Sequence, residues 1–86
     1  MNRIIFDVRE AHEFHAGRVD NARNLPVTQL TSQPPKQLEA VTRDTQIILY
    51  CRSGGRSAVA KNIIESYGFR NVINGINKQQ VEATYL

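Results

Sequence analysis

Two short stretches of this chain are apolar at consecutive positions, Ile4-Ile5-Phe6 and Ile47-Ile48-Leu49. A strand with one face in water would alternate apolar and polar residues. Consecutive β-branched and aliphatic residues instead predict strands buried on both faces, the condition of a parallel sheet covered by helices. Arg3 to Val8 reads as the first strand, and Glu10 to Ala16 as a short helix ended by Gly17. Ala22 to Leu25 reads as a second strand closed by Pro26, and Val27 to Leu30 as one helical turn. Thr31 and Ser32 are N-cap candidates for a helix over about Pro35 to Val41, with Leu38 and Val41 turned inward. Asp44-Thr45 makes the turn into a third strand, Gln46 to Cys51. A helix over about Arg56 to Tyr67 shows Val59, Ile63, Ile64 and Tyr67 on one face, with Gly68 just past its end. Asn71 to Ile73 reads as a fourth strand, Gly75 as the opening of a turn, and Lys78 to Tyr85 as a last helix. The expected fold is α/β: a central parallel sheet of four to five strands with helices on both faces.

With 86 residues the chain has room for one core, so a single domain over residues 1–86 is expected. It holds one cysteine, which excludes an internal disulfide and makes a reduced thiol its natural state. The apolar run near the N-terminus is three residues long, too short for a signal peptide or a membrane span. This favours the cytoplasm, or the periplasm if the chain is a processed form. A net charge of +3 suits anionic partners in general, but no dense Lys/Arg cluster or aromatic array points to nucleic acid. The charge balance is compatible with a monomer. His12 and His15 stand three apart without further ligands at fitting positions, so no metal and no cofactor are expected.

The single thiol lies in Tyr50-Cys51-Arg52-Ser53-Gly54-Gly55-Arg56-Ser57. An apolar strand leads into this stretch and a helix leads out. In open parallel sheets, ligands bind outside the carboxyl ends of the strands, which is where Cys51 falls. The loop N–H groups and the helix dipole both favour an anion there, and so favour thiolate over thiol. Gly54 and Gly55 allow the backbone to turn without Cβ clashes, so N–H groups from Arg52 to Arg56 can curl into a nest. Arg52 and Arg56 flank the thiol and would attract an anionic substrate. Arg56 could equally bond a structural carboxylate. Ser57 suits a helix N-cap, with contact to the reacting sulfur as the alternative. Asp7 and Arg9 form a charged pair at the end of the first strand, read as a brace near the loop.

Several patches resemble the rhodanese domains, the thiosulfate sulfurtransferases. They are Phe6-Asp7-Val8-Arg9-Glu10, then Glu13 with Gly17-Arg18-Val19 and Ala22-Arg23-Asn24-Leu25-Pro26, the loop Cys51 to Ser57, and Tyr67-Gly68-Phe69-Arg70-Asn71-Val72. The likeness covers nearly the whole chain and is to the minimal single-domain bacterial type. Three places depart from the family pattern. Gly17-Arg18-Val19 stands where Gly-His-Ile is frequent, Asn21-Ala22 where Gly-Ala is frequent, and Asn74-Gly75 without a tryptophan where a double glycine and a tryptophan are common. These touch packing and the rim of the pocket. The resemblance implies a double displacement: Cys51 takes the outer sulfur of thiosulfate or a similar donor as a persulfide, then passes it on. The acceptor would be cyanide or a thiol, with thioredoxin or a sulfur-carrier protein as cellular partners. Arg52, Ser53, Gly54, Gly55, Arg56 and Ser57 would form the substrate-binding loop.

Two other functions compete. A cysteine phosphatase or arsenate reductase needs a loop that encloses a tetrahedral oxyanion, with about five residues between cysteine and arginine. Here four residues separate Cys51 from Arg56, and the smaller ring suits a single sulfur atom. A binding or sulfur-carrier module on the same fold, without efficient turnover, is the other alternative. A purely structural cysteine at a strand end would not require such a loop.

Overall fold

The computed structural model describes residues 2–86. Four strands, β1 (Arg3–Asp7), β2 (Arg23–Asn24), β3 (Gln46–Cys51) and β4 (Val72–Asn77), form one sheet in the order β2-β1-β3-β4. Every pairing is parallel. Three helices accompany it, α1 (Ala11–Ala16), α2 (Gly55–Ser66) and α3 (Lys78–Tyr85). The sheet is the smaller of the two sizes expected from the sequence. Among the described residues, no helix is long and apolar enough to cross a membrane.

The consecutive apolar residues are explained by two cores, one on each side of the sheet. Along β3, Ile47, Leu49 and Cys51 join a larger cluster with Phe6, Leu25, Leu38, Ala60, Ile64 and Phe69. Ile48 and Tyr50 point the other way, into a smaller cluster with Ile5, Val19 and Val81. The strand period of two therefore sends alternate apolar residues of one run into different cores. Helix α2 covers the first face and α3, through Val81, the second.

Three local expectations are corrected. The segment over Pro35 to Val41 makes only a 3-10 turn, Lys36–Leu38. Its neighbours Lys36, Gln37 and Glu39 are exposed, and Leu38 alone is fully buried. Leu38, with Val41 partly buried against the same core, is too little anchorage in so short a segment to offset the cost of nucleating an α-helix. Thr31 caps no helix; its hydroxyl and the Gln33 backbone bond each other locally. On α2 the buried residues are Ser57, Ala60 and Ile64, while Val59 is 53% exposed. The inward stripe thus combines the small Ser57 and Ala60 with Ile64, and Ile63 and Tyr67 pack partly buried against the same core, so that of the expected face Val59 alone points away.

The third correction concerns Gly75, which opens no turn. Strand β4 continues through it to Asn77, with an irregularity opposite Leu49 and Tyr50: Leu49 pairs with Asn74 and Tyr50 with Ile76. Gly75 is the extra residue. A Cβ there would lie 2.6 Å from Cγ2 of Val81 and 3.1 Å from the Leu49 carbonyl. The glycine marks a bulge where α3 presses on the sheet. Ile76 follows with φ of 77°, an uncommon conformation for a β-branched residue. The Asn74 Oδ1 atom accepts its N–H at 3.0 Å and fixes that backbone.

Candidate active site

The chain runs from β1 outward to β2, then returns to place β3 and β4 on the other side of β1. The order reverses between β1 and β3, and a crevice at the carboxyl ends of these strands is the expected binding place in such a sheet. Cys51 ends β3 at this crevice, one residue beyond Tyr50, which pairs with Asp7 of β1.

After Cys51 the backbone turns sharply. Gly54 takes φ of 96°, a left-handed conformation that glycine adopts without a Cβ penalty, and it occupies the N-cap position of α2. The Gly54 N–H points back at the sulfur, 3.1 Å from Sγ. The Ser57 hydroxyl lies 3.4 Å from Sγ. Burial pushes the Cys51 thiol up. The Ser57 hydroxyl, when its one hydrogen is turned to the sulfur, and the N–H groups of Ser57, Ser53 and Gly54 outweigh it and bring the thiol down to about 7. The lowering comes from hydrogen bonds to the sulfur, and none of its donors is a basic side chain. Ser57 makes no N-cap bond, which corrects the capping expectation. It is fully buried, and its hydroxyl donates to Asn74 Oδ1 at 2.6 Å.

Cys51 opens onto a cleft of about 290 Å³ lined also by Arg9, Arg52, Asn77, Lys78 and Gln79. Three of these side chains are cationic and none is a carboxylate. Arg52 is exposed and makes no hydrogen bond or ion pair among the described residues. Lys78 bonds Glu82 one turn along α3 at 3.1 Å. Arg9 is held from behind: its Nε lies 2.9 Å from Asp7 Oδ1, and its Nη2 lies 2.6 Å from Oδ2 and 2.7 Å from the Gly17 carbonyl. The hydrogen bond to Asp7 raises the Arg9 pKa, so its charge is permanent. Asp7 is fully buried and also accepts the Arg9 backbone N–H. The pair braces the cleft, with the partly buried Arg9 as the end that lines it.

Arg56 is placed differently from Arg52. Both of its terminal nitrogens bond Glu13 of α1, at 2.7 and 3.0 Å. That hydrogen bonding holds the Glu13 carboxyl down at about 2. A guanidinium engaged in this way is not free to grip an oxyanion, as a phosphatase loop requires. Ser53 and Gly55 are exposed at the loop tip. His12 and His15 are exposed, and among the described residues no group of three or more potential metal ligands exists. A second cleft of about 340 Å³, lined by Gln33, Pro34, Leu38, Glu39 and Arg43, contains no nucleophile.

Sequence reasoning passed over Asn74, Asn77, Lys78 and Gln79 as site residues, and gave Glu13 no role. For Asn74 a signal existed: an amide inside an otherwise apolar strand must find buried partners. For Glu13 the signal was its spacing from Glu10, and its carboxylate does accept the Glu10 N–H at 3.2 Å. The pocket wall from α3 had no signal, because it depends on how the bulged β4 delivers that helix.

The model of the family described as the rhodanese-like domain matches residues 1–78. A "Putative thiosulfate sulfurtransferase, mitochondrial" of Schizosaccharomyces pombe is 30% identical over 80 residues, covering 83% of this chain and 56% of that protein. A tRNA uridine(34) hydroxylase of Cronobacter sakazakii is 30% identical over 71 residues, covering 80% of this chain and 20% of that protein. The chain thus spans about half of the first relative and a fifth of the second. Among solved structures, a rhodanese with anions from E. coli superposes with a TM-score of 0.79 at 24% identity, over 91% of this chain and 89% of that one. A human single-domain sulfurtransferase gives 0.72 at 20% identity, over 99% and 85%. At these identities the structural likenesses speak for the fold. The family match spans both the strand that carries Asp7 and the loop that carries Cys51 and takes in most of the chain, which belongs to the rhodanese-like domain family.

Proposed function

We propose that this domain is a sulfurtransferase that carries a sulfane sulfur on Cys51. The observation that carries the reading is the sulfur itself: a thiol brought to about 7 at the head of a cleft with a cationic lining. Such a thiolate attacks the outer sulfur of an anionic donor such as thiosulfate. The Sγ–S bond forms as the donor's S–S bond breaks, and sulfite leaves with the bonding pair. The product is an anionic persulfide, and the cleft keeps its cations for it. A second nucleophile, cyanide or a thiol, then attacks the terminal sulfur and returns the thiolate. Covalent transfer divides one difficult step into two easier ones, and no proton need be moved by a side chain in either. Thioredoxin or a sulfur-carrier protein would serve as a cellular thiol acceptor.

The test is intact-protein mass spectrometry after thiosulfate, and again after cyanide. The expected result is a gain of one sulfur atom that cyanide removes and that Cys51→Ser never acquires. No adduct with any sulfane donor would overturn the reading.

A further inference from the structure

Asn74 stands in β4 opposite Leu49, and its side chain reaches under the loop that carries Cys51. It makes three hydrogen bonds. Oδ1 accepts the Ile76 N–H at 3.0 Å and the Ser57 hydroxyl at 2.6 Å, while Nδ2 donates to the Gly54 carbonyl at 3.2 Å. These partners fix the orientation of the amide. Turned over, its NH₂ would face the Ile76 N–H and its oxygen would face the Gly54 carbonyl. Asn74 Oδ1 is therefore an acceptor wherever Ser57 meets it.

Ser57 has one hydroxyl hydrogen and stands between Asn74 Oδ1 and Cys51 Sγ, which is 3.4 Å away. With that hydrogen on Asn74, the Ser57 oxygen turns a lone pair toward the sulfur. This arrangement suits a thiol, whose S–H it can accept. A thiolate needs the reverse: the hydroxyl hydrogen turned onto the sulfur, and Asn74 Oδ1 left with the Ile76 N–H alone. Asn74 and the sulfur compete for one hydrogen.

We propose that Asn74 is a positioning residue for Cys51, restraining loss of the sulfur's proton by holding the Ser57 hydroxyl hydrogen. The inference rests on Cys51 being the reacting sulfur of the proposed transfer. Its use there is chemical. A thiolate formed too easily is always present but is a weaker nucleophile, and the best attacking thiol titrates close to ambient pH. The loop N–H groups draw the proton off and Asn74 opposes them. The other charged groups near the sulfur are Arg9 after β1, Arg52 in the loop, Arg56 on α2 and Lys78 on α3. The carboxylates behind them, Asp7, Glu13 and Glu82, are bonded to Arg9, Arg56 and Lys78. None of these groups exchanges a hydrogen with Ser57.

The experiment is the pH profile of iodoacetamide alkylation, read at the chain's only cysteine, in the wild type, Asn74→Ala, Ser57→Ala and the double variant. Asn74→Ala frees the hydroxyl to turn to the sulfur, while the Gly54 carbonyl keeps its bond from the Ala58 N–H. The alkylation midpoint should fall by about half a unit, roughly a threefold gain in thiolate on the acid side. In the Ser57→Ala background the same substitution should shift nothing. An equal shift in both backgrounds, no shift, or a rise in Asn74→Ala would overturn the proposal. Should Asn74→Ala not fold, Asn74→Asp retains both Oδ1 bonds with a stronger acceptor. Its midpoint should rise, and rise less without Ser57; equal rises would overturn the proposal. Persulfide formation on the same proteins tests the transfer reading separately, since alkylation requires none. A Ser57-dependent shift in a protein that takes no sulfur would keep this inference and remove that function. A persulfide without such a shift would do the opposite.

Discussion

Glu13 holds Arg56 by two parallel bonds across the gap between α1 and α2, Nη1 to Oε1 at 2.7 Å and Nη2 to Oε2 at 3.0 Å. Helix α1 has no fully buried residue, so this fork is a main tie between it and the helix that follows the loop. It also separates two arginines that look alike in the sequence. Arg56 is committed to a carboxylate, and Arg52 faces the cleft uncommitted.

The first expectation concerns acid. Hydrogen bonding to Arg56 lowers the Glu13 carboxyl from its ordinary value to about 2. A depressed carboxylate contributes stability that is complete above the unfolded-state value, about 4.3, and is lost as pH falls toward 2. The Arg56 side chain is 35% exposed, so screening limits the contribution to at most about 1 kcal/mol. Denaturant titrations of the wild type and Glu13→Gln at several pH values should show a gap that closes between pH 4.5 and 2. A gap independent of pH would mean that the pair does not act through charge.

For the two arginines, substrate charge is the discriminating variable. Arg52→Gln should raise the KM for thiosulfate roughly three- to fivefold, the scale of one screened charge at close range, and should leave a neutral sulfur donor nearly unaffected. Added salt should reduce the difference. Arg56→Gln should act mainly on stability. Equal effects of Arg52→Gln on both donors would remove the role assigned to its charge.

Gly54 joins backbone geometry to sulfur chemistry. An added Cβ would lie 3.3 Å from Ile76 Cγ2, at a φ of 96° that L-residues rarely adopt. Gly54→Ala should cost about 1–2 kcal/mol, measured by the denaturant midpoint. It should also move the Gly54 N–H off Sγ and carry the thiol back toward its ordinary range. An alkylation profile identical to the wild type would show that this N–H does not matter to the sulfur.

Gly75→Ala tests the bulge. Its Cβ would enter the space of Val81 Cγ2 and approach the Leu49 carbonyl at 3.1 Å, so a cost of about 1–3 kcal/mol is expected, read as a lowered Tm. Val81→Ala should relieve part of this, so the double variant should be less damaged than the two single losses added together. Simple additivity would place the strain elsewhere.

The sheet was legible because β1 and β3 are apolar at consecutive positions, a pattern that has few other solutions. The place of the thiol at the strand end was legible because a lone cysteine meets two glycines between a strand and a helix. What stayed hidden is tertiary. Lys78 and Gln79 look like any polar helix start until the bulge at Gly75 aims α3 at the cleft. Ser57 looks like a cap until Gly54 takes that position and the hydroxyl turns inward to Asn74. The choice between Arg52 and Arg56 depends on Glu13, some forty residues earlier in the chain, and no local pattern connects them.

The alternation along β3 has a consequence for which changes the chain can tolerate. Cys51 and Tyr50 are neighbours that face opposite cores. Loss or gain of one residue within β3 would leave its composition almost unchanged, yet it would exchange the two faces. The phenol would then stand over α2 and the sulfur would turn toward Val81, away from the Gly54 N–H. The placement of the sulfur in the cleft is thus encoded in the parity of a six-residue strand as much as in the presence of its cysteine.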